Sequence, residues 1–206
     1  MSGLIRRRER GDTIIEVLFA VTVFALVAVG SLAIMNQGTN TAQRSLEITQ
    51  VRAQIDAQAA AIRFIHESYI AQFQSGGGTL TGKALLWSKL RDRSVTQASD
   101  FGAAANNKCT IPNNAVILNT HTVDISNDKP TATAPGGASL PPFAQVAYRD
   151  DSSILAAYGI WDEVVNGQSN KGPNYYDFHI RACWDAPGSD VPVTLGTIVR
   201  LYEPSN

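Results

Sequence analysis

Charged side chains are scarce in this chain: 17% of its 206 residues, against about 25% in an ordinary soluble domain. The apolar excess is concentrated in the first 35 positions, and the remainder has the composition of a polar, soluble body. A basic excess is missing too. Arg6, Arg7, Arg8 and Arg10 against Glu9 give the first eleven residues a net charge of +3, and the chain as a whole carries −1, which leaves −4 for the rest. That balance argues against the broad basic face of a nucleic-acid-binding domain.

Cysteine is limited to Cys109 and Cys183, too few for a disulfide scaffold and without the spacing of a zinc site. The two either form one bridge, which an oxidising compartment outside the membrane permits, or stay separate buried thiols; the sequence leaves both open. A bridge would close a loop of about 75 residues and stabilise the fold by ~4.5 kcal/mol in the chain-entropy model. The histidines are His66, His121 and His179, and neither H-E-x-x-H nor G-x-S-x-G occurs. The glycine run at 75–78 lacks the Lys-Ser/Thr that a phosphate loop needs. The stretch "DISND", with Asp124, Asn127 and Asp128, offers oxygen ligands but has neither the turn glycine nor the closing glutamate of an EF-hand. No catalytic residue, cofactor or metal is therefore expected.

What is present is a long apolar run. Residues 17–35 carry no charge, and with Ile14 and Ile15 they make a helix of ~30 Å, the thickness of a hydrocarbon core. The run is longer than the apolar stretch of a secretory signal, and no A-x-A cleavage site follows it. Arginines just before it predict a cytoplasmic amino terminus and an exported body. One residue is out of place. Glu16 puts a carboxylate at the start of the run, where insertion scales charge roughly 2.5–3.5 kcal/mol at a helix centre.

The stretch "RRRERGDTIIEVLFAV" resembles the amino terminus of type IV pilins and pseudopilins. The resemblance covers about the first 35 residues and, more loosely, the helix after them. It implies that Gly11 ends a leader, 1–11, that Asp12 opens the mature chain, and that Thr13, Ile14 and Ile15 lead to Glu16 in the fifth mature position. It further implies that Glu16 faces the free amine of a neighbouring subunit's first residue. A paired charge in low dielectric is much less costly than an isolated one. The implied partners are a prepilin peptidase, other pilin subunits with their assembly platform, and membrane lipid. One position departs from the family, which usually opens its mature chain with phenylalanine or another apolar residue, whereas Asp12 stands here. That departure favours a minor pilin or pseudopilin.

Beyond the span, 12–35, the apolar positions Ile48, Val51, Ile55, Ala59, Ile62, Ile65, Tyr69 and Phe73 recur every three or four residues. They predict an amphipathic helix within 36–74, with Arg44, Glu47, Gln50, Arg52, Gln54, Asp56 and Gln58 on its solvated face. Gly30 and Gly38 are expected to loosen its join to the span. A strand-rich head, 75–206, follows. It should hold a short helix at 83–92, with Leu85, Leu86 and Leu90 inward, and strands at 115–125, 143–148, 155–165, 175–184 and 193–202. The Pro/Gly/Thr-rich stretch 127–142 reads as a loop. Trp161 beside Asp162 and Glu163, and the pair Tyr175–Tyr176, suit an adhesive surface or core packing. The order gives an α+β fold, a long helix on an antiparallel sheet. The rival reading is a signal-anchored receptor or binding domain outside the membrane, in which Glu16 has no specific role.

Overall fold

The computed structural model describes residues 14–76, 78–99, 109–126, 130, 143–167, 173–186 and 191–204. The expected leader, Gly11, Asp12 and Thr13, and nearly all of the loop 127–142 lie outside them. The chain divides into two compact units, Met1–Gln43 and Arg44–Asn206.

The first element, α1, is an α-helix over Ile14–Gln74. It has no proline and continues through Gly30 and Gly38. A glycine inside a helix costs only about 1 kcal/mol relative to alanine, too little to break the ladder. The helix stops where the glycine run begins. Gly76 takes φ +116, a conformation that lacks steric cost only without a Cβ.

In the second unit α1 buries one stripe: Glu47, Val51, Ile55, Gln58, Ile62, Ile65 and Tyr69. Glu47 and Gln58, expected on the solvated face, belong to that stripe instead. They stand eleven residues apart, close to three helical turns, so the geometry that buries Val51 and Ile62 buries them as well. Each has a polar partner there. The Gln58 amide donates to Leu118 O and accepts from Leu118 N–H, at 2.8 and 3.1 Å. Glu47 accepts from the Trp184 indole at 3.2 Å.

The second helix, α2, spans Gly82–Arg91. Leu86 and Leu90 are buried as expected, but Leu85 is exposed and Trp87 takes the inner position. Trp87 stacks on Tyr69 at 5.8 Å, meets Tyr176 edge-on at 5.8 Å and lies 5.5 Å from Phe178. Such pairs add about 0.5–1.5 kcal/mol each beyond the area they bury, so one indole joins both helices to the sheet.

Among the described residues the strands are antiparallel and form three separate ladders. A two-residue pair joins β1 (Leu118–Asn119) to β2 (Asp124–Ile125). A second hairpin pairs β3 (Gln145–Tyr148) with β4 (Ile154–Tyr158). The main sheet has the order β5 (Ile160–Gly167), β6 (Tyr175–Trp184), β7 (Val193–Tyr202). Two expected single strands are broken. In 115–125 the Asn119 carboxamide accepts the N–H groups of His121 and Thr122 and folds the chain back between β1 and β2. In 155–165 Gly159, at φ +60, ends β4 and starts β5 in a different sheet.

Gly159 is also tightly enclosed. Its carbonyl accepts the Cys183 N–H at 2.7 Å, and a Cβ built on it would lie 2.3 Å from Cys183 O. Replacing it by alanine combines a left-handed backbone with a clash against backbone. Gly159→Ala is expected to destabilise the head by about 3 kcal/mol, read as a lower urea midpoint with unchanged slope.

Candidate functional site

In the first unit the described residues begin at Ile14, and Glu16 lies in the first turn of α1. Ile14 and Ile15 precede it, both exposed. From Ile14 to Met35 every large apolar side chain is exposed. By length and composition α1 is able to cross a membrane. Its hydroxyls fit an apolar solvent, because Thr22 donates to Leu18 O and Ser31 to Val27 O. With both groups satisfied inside the helix, neither brings an unpaired donor into lipid.

In the second unit the two cysteines are joined. Cys109 and Cys183 form a disulfide, and no described cysteine is free. The bridge ties the chain before β1 to the face of β6 turned away from α1. Trp161, Ala115 and Cys183 make a small second core there, with Cys109 and Ile111 against it.

The alternation of β5 decides its neighbours. Trp161 and Glu163 face that second side, whereas Ile160 and Val164 join the main core. The run Trp161–Asp162–Glu163 is wholly buried and offers no adhesive surface. Glu163 is 1% exposed and well supplied with partners: the Ser99 N–H and hydroxyl, the Asn114 amide, and Arg181 at 3.4 Å. Arg181 in turn donates to Ser99 O at 2.8 Å. His179 completes the group, its Nδ1 3.4 Å from Arg181. Burial first, and the Arg181 charge second, hold the His179 imidazole below its ordinary 6.5. The cluster clamps Ser99 and Asn114 onto β5 and β6, and His179 and Arg181 also border a cavity of about 320 Å³.

Asp162 differs. Its side chain shares the core face with Ile160 and Val164 and sits opposite Ile180 in the register. It is 1% exposed, and neither carboxyl oxygen has a hydrogen-bond partner among the described residues. Burial alone pushes this carboxyl up to about 8, so the group is mainly neutral at pH 7. Sequence reading placed Asp162 with its charged neighbour, because the run of three residues does not say which faces are covered.

The other candidates disperse. Asp124 is exposed in β2, while Asn127 and Asp128 lie outside the described residues. No group of three or more metal-ligating side chains occurs among the described residues. Tyr176 is buried against Trp87, and Tyr175 is half-buried beneath Arg200. His66 meets Tyr202 O at 2.9 Å, and His121 stacks on Tyr148 at 3.9 Å beside an open groove of about 530 Å³. Comparison with protein-family models, with curated proteins and with solved structures found no match.

Removing one partner of a buried ion pair leaves the other charge unpaired, at about 3–5 kcal/mol. Arg181→Met is expected to destabilise the head by that amount at pH 7. The double variant Arg181→Met/Glu163→Gln should recover part of the loss, as measured by a double-mutant cycle in urea.

Proposed function

We propose that this chain is a pilin-like structural subunit, a minor pilin or pseudopilin, anchored by the first half of α1 with its head outside the membrane. One observation carries the reading. A glutamate stands five residues after Gly11, in the first turn of a helix whose next nineteen positions carry no charge and whose large apolar side chains are all exposed. An apolar surface that long needs a cover, which lipid supplies before assembly and neighbouring helices supply afterwards. Among packed helices an isolated Glu16 would be costly, and the free amine of a neighbour's Asp12 is the cation that relieves it. The pair would also set axial register. The α+β order of a long helix followed by antiparallel sheets supports the same layout. The disulfide suits a head that matures outside the cytoplasm.

On this reading a prepilin peptidase cuts between Gly11 and Asp12. Amino-terminal sequencing of membrane-extracted protein should then begin at Asp12, and Gly11→Val should leave the full-length precursor. Glu16→Val and Glu16→Gln should each lower the assembled fraction, measured in sheared filaments, by about tenfold or more while leaving membrane insertion intact. A mature protein that keeps residues 1–11, or full activity of both Glu16 variants, would favour a signal-anchored receptor instead.

A further inference from the structure

Asp162 is the one buried charged-type residue of the main core whose side chain lacks a partner among the described residues. Its backbone has a special place as well. On its inner side β5 is held to β6 by a ladder running from Ile160↔Ala182 to Gly167↔Tyr175. On the outer side Asp162 meets Val116 through a single isolated bridge, two hydrogen bonds of 2.8 and 2.9 Å. The bridging segment closes the core at that edge, with Val116, Ile117 and Leu118 all buried. It is held from above by Gln58 of α1, which grips Leu118, and upstream by the disulfide at Cys109.

We propose that Asp162 is a proton-controlled latch for the segment Ala115 to Asn119, which closes the core while the carboxyl is protonated and is released from β5 when the carboxyl ionises. The reasoning is electrostatic and mechanical. An ionised carboxyl with no partner cannot remain in an apolar core at small cost; it either keeps its proton or reaches water. The least resistance lies at the edge, because opening there breaks one bridge, the Gln58 contacts and the Asn119 bond to Ser152 O and uncovers Val116, Ile117 and Leu118, whereas opening toward β6 breaks the whole ladder from Ile160 to Gly167. Among the described residues no charged neighbour offers another relief, and Asp92 and Arg93, before the bridge of Val95 to β5, are exposed. Glu47, the only buried charged residue of α1, is bonded to Trp184, and Arg52, Asp56 and Arg63 are exposed. On β6 the residue opposite is Ile180, while His179 and Arg181 belong to the clamp on the other face with Glu163. On α2, Lys83 holds the Thr122 and Val123 carbonyls, Arg91 pairs with Glu203, and Lys89 is exposed. The segment 109–119 contains no charged residue. On the hairpin of β3 and β4, Arg149, Asp150 and Asp151 occupy the exposed tip. The disulfide keeps a released segment tethered, so opening is reversible.

The sign follows from the raised folded-state value. The open form ionises near the ordinary 3.8 and the closed form only near about 8, so closure is favoured at low pH and lost as pH rises between them. The test is hydrogen–deuterium exchange on the full chain in dodecyl-maltoside micelles from pH 5 to 9, corrected for intrinsic exchange. Protection of the Val116 and Asp162 amides, taken relative to the β6–β7 amides of the same sample, should fall about tenfold per pH unit up to about pH 8 and then level off. In Asp162→Asn the ratio should stay flat. Should that variant not fold, the wild-type profile alone decides. A wild-type ratio that is constant with pH overturns the latch, including the case in which all amides lose protection together. An unchanged slope in Asp162→Asn overturns it too.

Discussion

Among the described residues the head's three ladders share no continuous hydrogen-bonded sheet; isolated bridges apart, what they have in common is the stripe of α1 from Val51 to Tyr69. Each small sheet is marginal alone, since a two-stranded hairpin in water is barely stable. Packing against one apolar stripe gives all of them a common core, with Val146 and Ile154 from one hairpin, Leu118 from another and Phe178 and Ile180 from the main sheet. The helix is thus the element on which the others depend. Its own stability comes in turn from that burial more than from propensity, as for most amphipathic helices.

A stripe built on a rigid 3.6-residue period buries whatever residue falls on it. Two polar residues fall on this one, and each is matched by a bond from another element: Gln58 by the backbone of β1 and Glu47 by the indole at the end of β6. A strand has the same lack of choice at period two. On β5, Glu163 turns toward Arg181 and Ser99 and is satisfied, while the preceding carboxyl turns toward the apolar core and is not. Adjacent acids in one strand therefore meet opposite environments. One is bonded to Ser99, Asn114 and Arg181, and the other is tolerated mainly as a neutral acid.

Much of the architecture was legible from the chain. The strict alternation around Tyr176, Phe178 and Ile180 located β6 to the residue, and the amphipathic spacing from Val51 to Tyr69 located the helix stripe. Both are periodic patterns long enough for the buried face to declare itself. The breaks were less legible. A single glycine at 159 reads as an interruption too small to separate two sheets, and the turn at Asn119 is made by one carboxamide gripping two N–H groups. Glu47 and Gln58 were misplaced because side-chain polarity was read as exposure, whereas position on the helix decides it.

The amino acid sequence by itself determined the apolar run, the arginines before it and the glutamate at its edge, because hydrophobicity and charge act through composition and spacing along one helix. It also determined the α+β order, because the change from a period near 3.6 to a period of two is written locally. Only the tertiary structure decided that Cys109 meets Cys183, that Glu163 finds Arg181, and that Asp162 finds no partner among the described residues. These outcomes depend on which distant segments cover each face of β5 and β6. Covering is a property of packing between elements, and no local pattern encodes it.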